Sequence, residues 1–451
     1  MSGAFREPSA LQIAAYAAPA LAIAALGQPF YQFAPTLYVR DLGLSAGAVG
    51  LIVLVARLVD GAGDLVVGLA SDRTGGRFGR RKPWIVLGAP LAAIAAFMAL
   101  NPPDAPTLGY FAFWTIAVSL AWAMLNIPLN AWGAELSRDY AGRTSVAAVR
   151  EGLTLVGVVA ATATVAALSE TDGGLIAALA LLGIAVAVAT PITAVIAGLG
   201  APDPAPAPLL REPVGAALRG VLANSLFRRL LTAQFVNALA NALPATLFLL
   251  FVGERLGRPD LQGALIGGYF VAGLISVPVW SWIGSRMAKH RAWCLAMVWA
   301  CLVFALALFV DGPEDLALYT AVALLSGLAL GADVVLPASM QADVVEAEAL
   351  TRGVDAPSRT GLTFALWSLA TKIALGLAGG VGFGLLGLAG YDAALADQPA
   401  AVGPALTAAY AVLPLVLKGA SIALMWRFPL DEIDLARRRD QAAGNVADQP
   451  S

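Results

Sequence analysis

The chain has 451 residues, of which 59% are hydrophobic and 13% charged, and its net charge is −2. Soluble domains carry about 25% charged residues, so this composition cannot cover the surfaces of several water-soluble domains. Apolar stretches of about 20 residues, the length that crosses a bilayer as a helix, recur from end to end. The composition indicates a polytopic α-helical membrane protein, argues against a soluble enzyme, and favours no nucleic-acid partner.

Twelve membrane-spanning helices are predicted, in two sets of six. They cover residues 10–38, 46–71, 84–102, 107–134, 145–168, 173–199, 227–253, 261–285, 292–311, 316–345, 358–389 and 403–427. The proline-rich stretch 201–208 predicts a stiff linker between the sets. The expected organisation is an N-terminal six-helix bundle (1–200), a cytoplasmic linker (201–226), a C-terminal six-helix bundle (227–428) and a cytoplasmic tail (429–451). The first stretch is longer than the ~7–15 residues of a signal-peptide core, so we expect it to be a membrane helix.

Basic residues orient these spans. Of the 28 Lys and Arg residues, 21 fall in the loops expected on one side of the membrane and 3 in the opposite loops, with 4 inside helices. Since cytoplasmic loops carry the excess of positive charge, both termini are predicted to be cytoplasmic, in the plasma (bacterial inner) membrane. Each half also has a basic turn after its second span, at residues 71–82 and 286–291, which indicates two related halves.

The residues that usually mark cofactors and catalysis are scarce. The two cysteines, Cys294 and Cys301, lie in one apolar stretch two helical turns apart, which does not suit a disulfide. His290 is the single histidine and has no Cys or His cluster around it to form a metal site. The sequence has no GxxxxGK[ST] phosphate loop, which argues against an ATP-driven pump. We therefore expect no cofactor, no structural metal and no enzymatic activity.

The basic turn of the first half has a distinctive spacing, Gly68-x-x-x-Asp72-Arg73-x-Gly75 followed by Gly79-Arg80-Arg81. It resembles the loop between the second and third helices of the major facilitator superfamily. The glycine allows two helices to approach closely, and the aspartate can cap the next helix or pair with arginines. The residues predicted to act in gating are Arg57, Gly68, Asp72, Arg73, Arg80, Arg81, Glu135, Asp343 and Glu346, of which the last three are expected to pair with loop arginines.

The second span carries three charges, Arg57, Asp60 and Asp64, whose spacing of three and four residues puts them on one helical face. A charge at the bilayer centre costs at least ~2.5–3.5 kcal/mol, so it suggests a function. Two carboxylates this close cannot both stay ionised without compensation. A proton, or Na⁺ bound between them, would supply it, which predicts a coupling-ion site. The alternative is a structural pair between Arg57 and an aspartate.

Lys372, in the eleventh span with Ser368 and Thr371 beside it, needs an anionic partner. Two interpretations stay open. Lys372 pairs across the two halves with the second-span carboxylates, or it pairs locally with Asp333 of the tenth span.

Further polar side chains in the spans are candidate ligands for the solute. The fourth span ends in Asn126-Ile-Pro-Leu-Asn130-Ala-Trp132, and amides and an indole suit sugar hydroxyls and rings. Arg150 on the fifth span offers a five-donor fork, although the adjacent Glu151 could neutralise it structurally. The predicted substrate-binding residues are Asn126, Asn130, Trp132, Arg150, Asn237, Asn241, Ser368, Thr371 and Asp333, with helix-to-helix contact as the alternative role of Asn237 and Asn241.

Several segments together resemble the glycoside–pentoside–hexuronide:cation symporter family of the major facilitator superfamily, to which melibiose permease belongs, over about residues 10–430. The segments are Asp41-Leu-Gly-Leu-Ser45, Arg57-Leu-Val-Asp60-Gly-Ala-Gly-Asp64, Gly79-Arg-Arg-Lys-Pro-Trp84, Asn126-Ile-Pro128, Asn224-Ser-Leu-Phe-Arg228, Gln341-Ala-Asp343 and Lys372 with the glycine-rich residues after it.

The resemblance implies a twelve-helix major facilitator fold in which Asp60 and Asp64 serve the cation and the sugar, Lys372 lies beside them, and Arg150 faces the cavity. This sequence departs from the family at residues 63 and 65, where Gly and Leu replace the usual Asn and Pro, so a proton is as suitable as sodium. It also departs at residues 126 and 130, where Asn replaces the sugar-binding carboxylate and the aromatic residue of melibiose permease. Galactoside specificity is therefore not expected.

These observations predict a symporter that couples H⁺ or Na⁺ to a sugar or glycoside by alternating access. One alternative is a carrier of the same fold for a non-sugar solute such as a lysolipid. Another is a transport-inactive membrane sensor. The expected partners are a small-molecule solute and membrane lipid, with neither nucleic acid nor an obligate protein partner.

Overall fold

A computed structural model describes residues 7–76, 78–169, 174–203, 209–353, 356–391 and 398–447. Within these ranges the chain folds into helices and contains no strand. Arg77 of the basic turn, residues 204–208 of the predicted proline-rich linker and residues 448–451 of the predicted tail lie outside the described residues.

Six long helices form the first half of the chain. They are α1 (Ala10–Thr36), α2 (Ala46–Arg73), α3 (Lys82–Leu100), α4 (Leu108–Leu136), α5 (Tyr140–Ser169) and α6 (Gly174–Gly200). A short helix, α7 (Val214–Ala223), follows within the predicted linker. The second half contains α8 (Ser225–Leu250), α9 (Gln262–Arg286), α10 (Lys289–Phe304), α11 (Leu316–Arg352), α12 (Thr360–Leu388), α13 (Val402–Thr407), α14 (Leu413–Met425) and α15 (Glu432–Ala447).

Eleven helical segments of the described chain are long and apolar enough to cross a membrane. One of them is the continuous segment Val402–Met425, which contains α13 and α14. The remaining long helix, α2, has 28 residues and carries Arg57, Asp60 and Asp64 in its middle, and these charges lower its hydropathy. The eleven segments and α2 together form the all-helical membrane fold that the apolar stretches predicted. The ends differ locally, since α11 extends to Arg352 instead of ending near residue 345.

The chain divides into two compact units that do not follow its linear order. The N-terminal unit comprises Met1–Leu222, Gln341–Leu369 and Leu435–Ser451, and the C-terminal unit comprises Ala223–Met340 and Ala370–Asp434. The end of α11, the start of α12 and most of α15 therefore belong with the N-terminal helices. The predicted boundaries at residues 200, 227 and 428 stay a prediction.

Small residues and buried tyrosines hold the N-terminal unit together. The hydroxyl of Tyr16 on α1 donates to the carbonyl of Leu129 on α4 at 2.9 Å. Gly133, one turn along α4, leaves room for that ring, because an added Cβ would lie 2.1 Å from the Tyr16 hydroxyl. Tyr38 donates to the carbonyl of Ala99 on α3, also at 2.9 Å. Such buried hydroxyls satisfy their hydrogen bonds while their rings fill the core.

The C-terminal unit has a more aromatic core. The rings of Phe251 and Tyr410 stack with centroids 4.0 Å apart, and the hydroxyls of Tyr410 and Tyr319 are 2.6 Å apart. The indole N–H of Trp280 donates to the carbonyl of Leu328 at 2.7 Å, which ties α9 to α11. These contacts position the polar residues of α8, α11 and α14 described below.

Candidate functional site

The two carboxylates predicted on the second span are buried. Asp60 is 2% exposed and Asp64 is 0% exposed, and both lie on the continuous helix α2. Glycines beside them bring α2 close to its neighbours in the N-terminal unit. An added Cβ at Gly61 would lie 3.1 Å from Leu369 of α12, and one at Gly63 would lie 3.4 Å from Leu120 of α4. Two carboxylates therefore lie one turn apart in a closely packed part of a membrane helix.

Arg57, one turn before Asp60, has a different environment. Its side chain is exposed, and its guanidinium carbon lies 3.5 Å from the centroid of the Tyr31 ring on α1. The Tyr31 hydroxyl is in turn 2.7 Å from the hydroxyl of Ser119 on α4. A guanidinium over an aromatic face is held by a cation–π attraction, so α1 and α4 orient Arg57 through Tyr31.

Further along α2, Gly68 and Asp72 connect this helix to the start of α12. An added Cβ at Gly68 would lie 2.6 Å from the carbonyl oxygen of Gly361. The Asp72 carboxylate accepts hydrogen bonds from the backbone N–H groups of Gly361 at 2.8 Å and Leu362 at 3.0 Å. Asp72 therefore caps a helix, as its position allowed, but the helix is α12 and not the next one along the chain. The first N–H groups of a helix have no partner within the helix and carry a partial positive charge, so they bind a carboxylate favourably.

Arg81 joins Asp72 to Glu135 of α4. It is 0% exposed and donates to the carboxylates of Asp72 at 2.8 Å and Glu135 at 2.7 Å, as well as to the Ser71 hydroxyl at 2.8 Å. Arg80 adds a bond to Glu135 at 3.1 Å. Burial acts to lower the pKa of Arg81, but the two carboxylates beside it raise this pKa above its ordinary value. The structure thus contains the pairing of Glu135 with loop arginines that its position predicted.

The other two predicted gating carboxylates lie at the end of α11 and also contact arginines. Arg143 on α5 donates to Asp343 at 2.5 Å and to Glu346. Arg439 on α15 donates to Glu346 at 2.9 Å through its Nε atom. Segments from the first half, from α11 and from the C-terminal tail therefore meet in one ionic network within the N-terminal unit.

Glu212, just before α7, was not singled out by sequence reasoning. Its carboxylate accepts two hydrogen bonds from Arg359, at 2.6 and 2.8 Å, and its backbone carbonyl accepts one from Arg73 at 3.0 Å. The bonds from Arg359 hold the pKa of Glu212 below its ordinary value. Glu212 therefore connects the end of α2 to the residue that precedes α12.

Three of the predicted solute ligands form a connected polar chain in the N-terminal unit. The amide of Asn130 donates to the side-chain oxygen of Asn126 at 3.3 Å. Arg150, which is 8% exposed, donates to the side-chain oxygen of Asn130 and to the carboxylate of Glu151. The structure therefore brings Asn126, Asn130 and Arg150 together, and it also contains the Arg150–Glu151 pair that was the structural alternative.

Trp132 makes its hydrogen bond outside this polar chain. It is 0% exposed, its indole N–H donates to the carbonyl of Pro202 at 3.1 Å, and its ring meets Tyr16 edge to face at 5.7 Å. A ring packed in this way has no face left for a solute. The position of Trp132 thus supports a packing role, and we do not include it in the proposed site.

A second polar cluster, in the C-terminal unit, surrounds Asp333 of α11. Its Oδ1 atom accepts hydrogen bonds from Trp293 at 2.7 Å and Asn237 at 3.3 Å. Its Oδ2 atom accepts from Asn241 at 3.0 Å and from the ammonium of Lys418 at 3.1 Å. Lys418 also donates to the side-chain oxygen of Asn237 at 2.8 Å. The two asparagines therefore bind a buried ion pair.

The local pairing predicted for Asp333 needs correcting, because its basic partner here is Lys418 of α14 and not Lys372 of α12. Sequence reasoning missed Lys418, although a lysine within an apolar span carried the same signal as Lys372. Trp293 was missed because a tryptophan in an apolar stretch is typical of a residue that packs in the hydrophobic core. Lys372, Ser368 and Thr371 are half-buried on α12, and the pairing of Lys372 with the α2 carboxylates stays a prediction.

A comparison with protein families identifies the fold and the class. The model of the family "MFS/sugar transport protein" matches residues 15–432. The chain belongs to this family. It is therefore a membrane transporter of the major facilitator type, and not an enzyme.

Curated relatives of the transporter are symporters. It is 27% identical to the human sodium-dependent lysophosphatidylcholine symporter 1 over 450 residues, covering 89% of this chain and 79% of that protein. It is 26% identical to the inner membrane symporter YicJ of Escherichia coli over 398 residues, and 25% identical to the putative glycoside/cation symporter YagG of the same organism over 395 residues. Each of these two matches covers 84% of this chain and 83% of the relative.

Solved structures support the fold alone. The transporter matches FucP, a major facilitator transporter in the outward conformation, with a TM-score of 0.67 and 14% identity, covering 93% of this chain and 98% of that one. A bacterial homologue of the iron transporter ferroportin, in an outward-facing state, matches with the same TM-score and 15% identity, covering 93% and 99% of the two chains. The expected major facilitator fold is therefore confirmed.

Proposed function

We propose that this transporter moves a small solute together with a cation by alternating access, and that Asp60 and Asp64 hold the cation. The observation that carries the proposal is the burial of both carboxylates, at 2% and 0% exposure, one turn apart on a membrane helix. Two ionised carboxylates at this separation in a low dielectric need a compensating positive charge. The names of the relatives, one sodium-dependent and one a glycoside/cation symporter, support the same chemistry.

Either a proton or Na⁺ supplies that charge. A proton neutralises one carboxylate, whereas Na⁺ lies between the two. Lys372 is the proposed counter-charge for the carrier without its cation. If the bound cation raises the affinity of the carrier for the solute, the bound solute raises its affinity for the cation by the same factor. This reciprocal effect couples the movement of the solute to that of the cation.

A sugar or glycoside is the proposed solute, with Asn126, Asn130 and Arg150 as its ligands. Their connected chain offers amide donors and acceptors together with a guanidinium fork, which are suitable partners for hydroxyl groups. Ser368 and Thr371 stay candidates. The residues proposed from sequence in the C-terminal unit, namely Asn237, Asn241 and Asp333, already bind one another and Lys418, so they are not assigned to the sugar.

A lysolipid is the second candidate solute. The 27% identity to the human lysophosphatidylcholine symporter extends over 89% of this chain and is as high as the identity to YicJ and YagG. An uptake screen that offers glycosides and lysophosphatidylcholine in parallel separates the two candidates. If neither class accumulates under any imposed gradient, the result favours the transport-inactive sensor.

The proposed orientation places both termini and the loop with Arg80 and Arg81 in the cytoplasm, on the strength of the basic residues counted above. In a background without native cysteines, Ser9→Cys should react with a membrane-impermeant maleimide only after the inner membrane is permeabilised. Asp104→Cys, in the exposed loop between α3 and α4, should react in intact cells. The opposite pattern of labelling would invert the orientation.

The decisive experiment measures gradient-driven accumulation in proteoliposomes under an imposed Na⁺ or proton gradient. We expect Asp64→Asn and Asp60→Asn each to abolish accumulation, because an amide neither takes a proton nor balances a cation. Asp104→Asn, which alters an exposed loop carboxylate, is the matched control and should accumulate normally. Full accumulation by Asp64→Asn would refute the coupling assignment.

The solute ligands have a test of their own. Arg150→Lys keeps the charge but loses the fork, and we expect the half-saturating solute concentration to rise about tenfold, equivalent to ~1.4 kcal/mol. Arg219→Lys, on the exposed face of α7, should leave it unchanged. An unchanged half-saturating concentration in Arg150→Lys would remove Arg150 from the proposed site.

A further inference from the structure

The C-terminal unit contains a cavity of about 150 Å³ that the proposed cation and solute sites do not use. Aromatic side chains form much of its wall, among them Tyr269, Phe270, Phe304 and Tyr410. An engineered cavity of about 150 Å³ with an apolar wall binds benzene, whereas pockets for drug-sized ligands measure about 300–1,000 Å³. The cavity is therefore the right size for one ring.

One part of the wall is charged, where Lys418 and Asp333 reach the cavity together with Asn241. The carboxylate of Asp333 is saturated, since it accepts four hydrogen bonds from its own cluster. An ammonium has three N–H donors, and within the described chain two of those of Lys418 go to Asp333 and Asn237. The third is available to an oxygen atom of a ligand.

The charge of this wall is balanced. Among the described residues that line the cavity, Lys418 and Asp333 are the charged ones, one positive and one negative. They already form an ion pair with Nζ and Oδ2 3.1 Å apart. A ligand with a charge of its own would add an uncompensated charge inside a membrane-embedded unit, which is costly. The cavity therefore selects uncharged ligands.

We propose that this cavity is a binding site for an uncharged aromatic ring bearing a hydroxyl or ether oxygen. The ring lies among the aromatic side chains, and its oxygen accepts a hydrogen bond from Lys418. The site belongs entirely to the C-terminal unit. It does not depend on the cation coupling proposed for α2, so either proposal can fail without the other.

Cys301 provides a direct readout, because it lines the cavity. The chain has two cysteines, and the other, Cys294, is 0% exposed and does not line the cavity. In the full-length Cys294→Ala protein, Cys301 is the only thiol, and its rate of alkylation by N-ethylmaleimide is measured in detergent. The probes are benzyl alcohol, benzoate and benzylamine, which share one ring and differ in charge.

We expect saturating benzyl alcohol to slow alkylation by about tenfold, since only the unoccupied fraction reacts, and the two charged probes to leave it unchanged. Ala323→Leu, which fills the cavity, should abolish the benzyl alcohol effect, whereas Leu325→Phe, at a more exposed position of α11, should keep it. Because the probe enters detergent to the same extent with both variants, comparing Ala323→Leu with Leu325→Phe also controls for this partition. A thermal unfolding scan confirms that both variants fold.

The double variant Lys418→Met with Asp333→Asn removes both charges at once and tests the polar contact separately. We expect benzyl alcohol to bind it about tenfold more weakly, as for the loss of one hydrogen bond to a charged group, and toluene to bind as before. Absence of protection by benzyl alcohol, equal protection by benzoate or benzylamine, or protection that survives Ala323→Leu would each overturn the proposal.

Discussion

Carboxylates lie in the middle of two membrane helices, Asp60 and Asp64 on α2 in the N-terminal unit and Asp333 on α11 in the C-terminal unit, and their surroundings differ. Asp333 accepts hydrogen bonds from the ammonium of Lys418 and from three neutral donors. On α2, Asp60 and Asp64 lie one turn apart, while Arg57 is exposed and stacks on a tyrosine ring. The first arrangement pairs one carboxylate with one ammonium, and the second brings two carboxylates within one helical turn of each other.

This difference suggests a structural role for Asp333 on α11, whereas Asp60 and Asp64 on α2 are proposed to act in transport. A balanced ion pair whose carboxylate accepts four hydrogen bonds holds α8, α11 and α14 together and gains nothing from a further ion. Two adjacent carboxylates can share a proton or a bound cation, which is the role proposed for Asp60 and Asp64. An aspartate in a membrane span is a functional candidate by default, and the presence of a second carboxylate one turn away is what distinguishes α2 from α11 here.

The largest effect that tests this comparison is expected at the ion pair. Lys418→Met leaves the Asp333 carboxylate buried without its counter-charge, which should lower the free energy of unfolding by about 3–5 kcal/mol. The double variant Lys418→Met with Asp333→Asn should recover most of that loss, because no uncompensated charge stays behind. Denaturant titration in detergent, followed by far-UV circular dichroism, measures both.

The carboxylates of α2 should behave differently. Asp64→Asn removes one of two adjacent carboxylates and so relieves their mutual repulsion, and we expect it to lower the free energy of unfolding by less than Lys418→Met does, even as it abolishes coupling. A loss of stability in Asp64→Asn as large as that in Lys418→Met would place Asp64 in a structural ion pair and end the distinction between the two helices.

Sequence reasoning found the α2 charges and missed the α11 ion pair, for a physical reason. The spacing of Asp60 and Asp64 is local, so a helical period is enough to place them on one face. The partner of Asp333 is 85 residues away along the chain, and which of two lysines it contacts depends on how helices pack. The sequence was enough to predict that Asp333 lies within a membrane span, but not which lysine it pairs with.

The same limit appears in the fold. Apolar length predicted the spans well, because each helix must satisfy its own backbone hydrogen bonds in lipid. The grouping of residues 341–369 with the N-terminal unit was not predicted, since contacts such as that between Asp72 and the N–H of Gly361 join residues 289 positions apart. Helix α7 also escaped detection, because it is short and lies outside the predicted spans.

A smaller effect is expected where α2 is fixed to α12. In Gly361→Ala the new Cβ would lie 2.5 Å from the carbonyl oxygen of Gly68 and 2.9 Å from Oδ1 of Asp72. The helices must move apart and weaken the cap, which should cost about 1–3 kcal/mol of unfolding free energy. Gly379→Ala on the same helix, where an added Cβ meets no atom within 4 Å of the described chain, is the control and should not destabilise. Equal stability of the two variants would show that this contact does not hold α2.

The smallest effect concerns the ion pair between Glu212 and Arg359 before the start of α12. Because the folded-state pKa of Glu212 lies below its ordinary value of 4.5, the pair stabilises the fold above that value and loses this contribution as the pH falls through the lowered pKa. Glu212 is partly exposed, so the contribution is at most about 1 kcal/mol.

Hydrogen exchange of the backbone at residues 209–213 and 358–362, compared between wild type and Glu212→Gln at each pH, measures this contribution. Wild type should be better protected near neutral pH, and the two proteins should converge as the pH falls through the lowered pKa of Glu212, below which glutamic acid and glutamine are both neutral. A difference that persisted at low pH would mean that the carboxylate geometry, and not its charge, holds this segment. The side chain of Glu212 would then still connect residues 209–213 to Arg359 in acid.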